Sequence, residues 1–245
     1  MSPKIVHCLF SAALLIPIMG LKADPELDIV KKARAYLGSE AALDSVSSIH
    51  YTGTYTEEDG KTALLEIILQ KPCQQRITAT MADKIEITAL DDYDGWQKLQ
   101  DAKDPSVWKL MIQSPDTIKR LRANTKENLT FYRDPEGKVE VSDMGLAQID
   151  GHQTRKVAFK HAETITFYRY FDSKTGRLMR TETEQGGVIV EQGEMIAGGL
   201  RFPKKLINTT KGPDGKMKTI TVDFDKVTVN ESFASSLFTM PSIGR

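Results

Sequence analysis

Cysteine is almost absent from this chain of 245 residues, which holds two, Cys8 and Cys73. A fold stapled by disulfides is therefore excluded, and so is a zinc site built on paired thiolates. Histidine is scarce too, with four in the whole chain. No Gly-x-Ser-x-Gly, His-Glu-x-x-His or phosphate-cradling Gly-x-x-x-x-Gly-Lys occurs, which removes the common hydrolase, metalloprotease and nucleotide-binding signatures. Charge of one sign is lacking: 33 basic residues balance 33 acidic ones. Nucleic-acid binders usually gather a basic excess on one face, whereas here the lysines and arginines are scattered among acids, so no nucleic-acid partner is expected. Long apolar runs are missing as well. The best candidate, Cys8 to Met19, is broken by Ser11 and Pro17 and is shorter than the roughly 18 to 20 residues that span a bilayer.

That same stretch has another reading. Lys4 precedes it, Gly20 ends it, and Leu21-Lys22-Ala23 closes on a small residue. A positive start, a short apolar middle and a small-residue end form a cleavable export signal, here assigned to residues 1–23. Cys8 lacks the triplet that precedes a lipidated cysteine, so the product is expected to be unlipidated and periplasmic, with no transmembrane segment in the mature chain. Removing the leader takes Lys4 and Lys22 and no acid, leaving a formal charge of −2 and a single cysteine, Cys73. A lone exported cysteine reads as a small buried apolar residue rather than a reactive thiol. No Pro/Ser/Gly linker interrupts residues 24–245, which are expected to form one domain.

Asp24-Pro25 is a helix start, followed by Leu27, Val30, Ala33 and Leu37 on one stripe. Lys31, Lys32 and Arg34 fall off that stripe and read as a solvated face. Gly38 stops the helix, and a second runs from Glu40 to about Val46. From Ser48 the period changes to two, with Ile49, Tyr51, Gly53 and Tyr55 alternating against His50, Thr52 and Thr54. Strands are predicted at 62–70, 76–81, 85–90, 96–99, 139–149, 154–160, 164–171, 177–184, 188–195, 201–211 and 216–229. Between them stand loops such as Asp150-Gly151 and Gln185-Gly186-Gly187, which supply the positive φ of tight hairpins and so imply antiparallel neighbours. One helix interrupts the series, opening at Ser114-Pro115-Asp116, with Ile118, Leu121 and Thr125 facing inward and Lys119, Arg120 and Arg122 outward.

Chemistry is thin. His161-Ala162-Glu163 and Pro72-Cys73 stand in the wrong order for a zinc deaminase, and the second cysteine is missing. Asp223 and Asp225 share one side of a strand and read as a solvated pair. Asp91-Asp92-Tyr93-Asp94-Gly95 has the acidic density of a calcium loop without its closing Glu and reads as a turn. Catalytic residues, metal and cofactor are accordingly assigned as none. The aromatics Trp96, Trp108, Phe131, Phe167 and Phe171 are core residues when taken singly. Trp108, Leu110, Met111, Ile118 and Leu121 together belong to the helical insertion and could line a cavity beneath it, where methionine suits a ligand of variable shape. With Trp96 and Phe167 they make up the candidate apolar pocket.

Three passages, taken in order, resemble the LolA-like superfamily of bacterial envelope proteins, and more closely the broad set of outer-membrane lipoprotein-sorting proteins. The first is Ala35-Tyr36-Leu37-Gly38-Ser39-Glu40 followed by Ile49-His50-Tyr51-Thr52-Gly53-Thr54. The second is Tyr93-Asp94-Gly95-Trp96. The third runs from Gly151 through Thr175-Gly176-Arg177-Leu178 and Gly199-Leu200-Arg201-Phe202-Pro203 to Leu237-Phe238-Thr239-Met240-Pro241. The resemblance implies a mainly β fold: an antiparallel meander curled into an incomplete half β-barrel, with N-terminal helices and one inserted lid or plug helix. It further implies a non-enzymatic periplasmic carrier or binder of lipid, lipoprotein acyl chains or another apolar ligand. The alternative it carries is an envelope protein-interaction or stress-sensing module that binds another envelope protein and no small molecule.

Overall fold

The computed structural model describes residues 26–212 and 215–242; the expected leader at 1–23 lies outside them. Two short helices, α1 (Asp28–Leu37) and α2 (Glu40–Asp44), precede six strands: β1 (Ser48–Glu57), β2 (Thr62–Gln70), β3 (Gln74–Thr80), β4 (Lys84–Asp91), β5 (Asp94–Asp101) and β6 (Trp108–Ile112). A long helix, α3 (Pro115–Thr130), leads into β7 (Glu140–Ile149), β8 (His152–Ala162), β9 (Ile165–Asp172), β10 (Leu178–Thr183) and β11 (Val188–Gln192). After these come β12 (Met195–Ala197), β13 (Leu200–Phe202), β14 (Lys205–Lys211) and β15 (Met217–Val229). The fold is mainly β, and its large antiparallel sheet curls without closing into a barrel.

The strand order, β6-β5-β4-β3-β2-β1-β15-β14-β11-β10-β9-β8-β7, shows how α3 comes to sit where it does. Strands β1 to β6 step outward from the middle of the sheet, while β7 to β15 step inward from the far edge, so that the last strand pairs with the first. The two free edges, β6 and β7, are consecutive in sequence apart from α3. A chain that leaves one edge and enters at the other must cross a face of the sheet, and the apolar concave face is the one that stabilises a helix laid across it. Ser114 caps the helix as its sequence indicates, its Oγ accepting from Thr117 N at 3.2 Å with Pro115 in the first turn.

Four local expectations are corrected. Trp108–Ile112 does not belong to the helical insertion: it is extended and pairs with β5, Trp96 opposite Ile112 and Gln100 opposite Trp108. The helix begins only after it, as the extended preference of a residue before proline requires. The expected strands at 188–195 and 201–211 are each cut, because Gly193, Gly198 and Gly199 adopt positive φ and fold β12 and β13 into a separate hairpin. Alternation along β15 also breaks. Gly53 faces Phe224 while Thr52 faces Lys226, which leaves Asp225 as the extra residue of a bulge and turns both Phe224 and Val227 into the core. A Cβ on Gly53 would lie 2.3 Å from Asp223 O, so only glycine lets the two strands approach here.

The fourth correction is Arg34, expected on a solvated face and in fact 1% exposed. Its Nη1 donates to Thr130 O at 2.7 Å and Phe131 O at 2.8 Å, and its Nη2 to Glu40 Oε2 at 2.6 Å. Those carbonyls lie at the C-terminal end of α3, where acceptors have no helical partner and the dipole favours a cation. Arg34 therefore ties α1 to the end of the crossing helix. Beside it, Leu43, Val46, Ile49, Leu129, Leu200 and Phe202 form a shared core, so the end of α3 is held by both a charge and apolar burial.

Candidate functional site: two spaces beside one buried helix

A helix on an open sheet normally buries one stripe. Here the sheet curls round α3, and residues on different sides of it are buried: Ala123, Thr125, Glu127 and Leu129. Glu127, 4% exposed, faces β8 and β9. Its Oε1 accepts from Arg169 Nε at 2.6 Å and its Oε2 lies 3.0 Å from His161 Nε2. Arg169 Nη1 also reaches Thr181 Oγ1 at 3.2 Å, and the guanidinium lies 5.0 Å from the Tyr132 ring centroid. Burial pushes the Glu127 carboxyl up, but the Arg169 charge and the His161 bond outweigh it and hold the group below its ordinary value. On the other side, Thr125 Oγ1 donates to Gln75 Oε1 at 2.9 Å.

This polar seam separates two spaces. The larger, about 930 Å³, opens between α3, the loop that follows it and β7–β9. Its floor is apolar, built from Leu43, Ala123, Leu129, Val139, Phe159 and Ile165, while Lys71, Lys119, Lys126, Arg133 and Lys138 stand at its rim. Most of these cations have partners nearby: Lys126 and Lys138 meet Glu136, and Arg133 meets Glu40 and Asp44. The smaller space, about 250 Å³, lies between α3 and the middle of the sheet, against Ile49, Tyr51, Ile67, Phe202, Leu206 and Phe224. Glu127 and Tyr132 belong to both walls.

Of the seven residues predicted for an apolar pocket, Phe167 lines the smaller space, and the other six lie in the lining of neither. Trp96 is 2% exposed and packs with Ile87 and Ala89. Its Nε1 donates to Phe238 O at 2.7 Å, which pins the C-terminal segment. Trp108 and Met111 sit on the edge strand, Trp108 beneath Lys98 Nζ at 5.2 Å, and Leu110 packs against the Trp96 cluster. Ile118 lies against Gly95, where an added Cβ would come within 2.8 Å of its Cγ1. Leu121 is half-buried on the same helix.

Sequence reasoning missed Glu127, Arg169, Gln75 and Glu191. A signal existed for two of them. Arg169 alternates with Phe167 and Phe171, and Glu191 with Ile189, so each is a charge on an otherwise apolar strand face. Glu127 lies on the side of α3 opposite Ile118 and would be exposed on a flat sheet.

The three histidines expected in the mature chain each meet a carboxylate: His50 meets Glu231 and Glu66, His152 meets Asp172, and His161 meets Glu127. Among the described residues no group of three or more His, Cys, Asp and Glu side chains could hold a metal ion, and no helix is long and apolar enough to cross a membrane. Cys73 is buried, and burial pushes its thiol up to about 11.

No family model and no curated protein matches the chain. Solved structures match its fold. An outer membrane lipoprotein-sorting protein domain from Vibrio parahaemolyticus is 9% identical, with 85% of this chain and 95% of that one covered at a TM-score of 0.55. A DUF1329 family protein from Desulfovibrio piger is 8% identical, covering 86% and 95% at 0.54. A LolA superfamily protein from Nitrosomonas europaea is 11% identical, covering 86% and 96% at 0.52. The likeness is one of fold, and it spans nearly the whole length of each of these chains.

Proposed function

We propose that the protein is an exported, non-enzymatic carrier or binder of a lipid or another apolar chain, which it holds in the larger space beside α3. The observation that carries this reading is an apolar-floored groove of about 930 Å³, within the roughly 300–1,000 Å³ that hold small ligands. Each methylene withdrawn from water there contributes about 0.8 kcal/mol. A ten-carbon chain thus gains about 8 kcal/mol to set against an association cost of at least about 4. Cations at the rim complement an anionic head group, and with most of them already near an acid the groove also accepts an uncharged one. The fold of an outer membrane lipoprotein-sorting domain and the leader expected at residues 1–23 support a periplasmic site of action for the domain expected at 24–245.

Neither tryptophan touches this groove, so intrinsic fluorescence is a poor reporter of its occupation. The test is native mass spectrometry of protein recovered from the periplasm, with displacement of a fluorescent fatty acid as the second readout. Co-purifying lipid and saturable displacement are expected. A clean unliganded mass together with no displacement rejects the reading. The interaction-module reading draws on β7, an edge strand that exposes Met144 and Leu146. It would replace the first if the groove proves empty and cross-links from β7 recover one protein.

A further inference from the structure

The smaller space contains a carboxyl without a partner. Glu191 lies on β11 with its side chain at the cavity wall, and among the described residues no hydrogen bond or ion pair reaches it. The other charged side chains of this wall are engaged. Glu127 holds Arg169 and His161, while Arg201 donates to Tyr36 O at 2.5 Å and lies 3.5 Å from Glu194. A second polar atom is also unmet. Gln75, 1% exposed, bonds Thr125 through Oε1 but leaves Nε2 without an acceptor. Buried polar groups are nearly always satisfied, so the bare Gln75 amide needs an explanation, and the half-buried Glu191 lies on the same wall.

Aromatic rings make up much of the remaining wall. Tyr51 packs against Phe224 with centroids 4.6 Å apart and edge-on to Phe202 at 5.9 Å, and Phe131 and Tyr132 complete the same side. A carboxylate among aromatic faces is a setting for an ammonium group, which gains from the charge and from the ring quadrupoles together. The volume limits the rest of the molecule: about 250 Å³ is room for roughly eight groups the size of water, at about 30 Å³ each.

We propose that this inner cavity is a binding site for a small aliphatic amine, its ammonium on Glu191 and its chain among Tyr51, Phe202 and Phe224. It is distinct from the groove and stands whether or not the groove binds lipid. A hydroxyl or carbonyl on the same ligand would supply the acceptor that Gln75 lacks. Burial raises the Glu191 carboxyl to about 7, with Arg169 and Arg177 acting in the opposite direction. Tyr51 and Tyr132, whose own burial keeps them neutral, face it from β1 and from the end of α3. The cation must therefore compete with a proton, and an aliphatic amine stays protonated throughout that range.

Calorimetric titration of the exported protein with hexylamine, 1-hexanol and hexanoate at pH 8 and pH 6 tests the assignment. Hexylamine is expected to bind at least tenfold more tightly than either analogue at pH 8 and to weaken about fivefold or more at pH 6. Glu191→Gln is expected to abolish the preference, and Val141→Trp, at the edge of the outer groove, to leave it unchanged. Equal binding of the three probes, no binding of hexylamine, a flat pH profile, or loss of amine binding in Val141→Trp would each overturn it. The pH profile of the unaltered protein decides the matter even if Glu191→Gln does not fold.

Discussion

Arg169 Nε and Glu127 Oε1 meet at 2.6 Å with both side chains withdrawn from solvent, and this pair joins the helix that crosses the concavity to strand β9 of its wall. With Arg34 holding the C-terminal end of α3, the helix is anchored to two elements remote in sequence. These contacts hold it across the concavity, with the two spaces lying beside it.

Removing one member of a buried pair leaves the other charge unmet, which costs about 3–5 kcal/mol. Glu127→Ala is therefore expected to lower the urea unfolding free energy by that amount, while Glu127→Leu combined with Arg169→Met restores most of it. Circular dichroism measures both. A single-variant loss below about 1 kcal/mol would show that the pair does not anchor α3.

The two cavity carboxyls link stability to pH with opposite sign. Glu127 is held below its ordinary value, so its contribution is complete above about pH 4.5 and is lost as pH falls through the folded-state value. Glu191 is raised from 4.5 to about 7. Its folded state favours the proton, so stability is highest below about pH 4.5 and falls as pH rises to about 7, levelling off above it. At about 1.4 kcal/mol per pH unit between those limits, the loss is at most about 3.5 kcal/mol. Glu191→Gln should equal the unaltered protein at pH 4.5 and exceed it by about 2–3 kcal/mol at pH 8. Identical stability of the two proteins at pH 8 would contradict the burial of this carboxyl.

Filling the larger groove separates lipid binding from folding. Val141 lies at the groove's edge on β7 and is partly exposed, so Val141→Trp can occupy the space without invading the core. Fatty-acid affinity is expected to drop at least tenfold with thermal stability changed by less than about 1 kcal/mol. Unchanged affinity would move the apolar ligand out of this groove.

Cys73 is inaccessible, and its thiol is raised to about 11 by burial. Since the thiolate is the reactive form, it should resist a disulfide reagent at pH 8 for hours and react within seconds in denaturing urea. Rapid reaction of the folded protein would show that the β3 end of the sheet opens.

Much of the fold was legible in residues alone. The Ser114-Pro115 helix start, the period-two segments from Ser48 onward and the glycine turns at Gly151 and Gly186 are local chemistry, and the structure places the corresponding elements within a few residues. Strand 62–70 coincides with β2. The resemblance to the LolA-like framework corresponds to the fold that the solved structures share with this chain. The candidate site was far less legible. Of the seven predicted pocket residues, Trp96 is core, Trp108, Leu110 and Met111 lie on the edge strand, Ile118 and Leu121 are half-buried on α3, and Phe167 lines the smaller space, because apolar character shows that a side chain avoids water and not which neighbour covers it.

Local sequence determined the elements because capping, alternation and positive φ depend on residues only a few positions apart. Tertiary structure alone decided that β15 pairs with β1, which strands the two edges at β6 and β7 and forces α3 across the concavity. From that crossing follow the features no local pattern could announce: a second buried face on α3, the inward turn of Glu127 toward Arg169, the burial of Arg34 at the helix end, and the unmet carboxyl of Glu191.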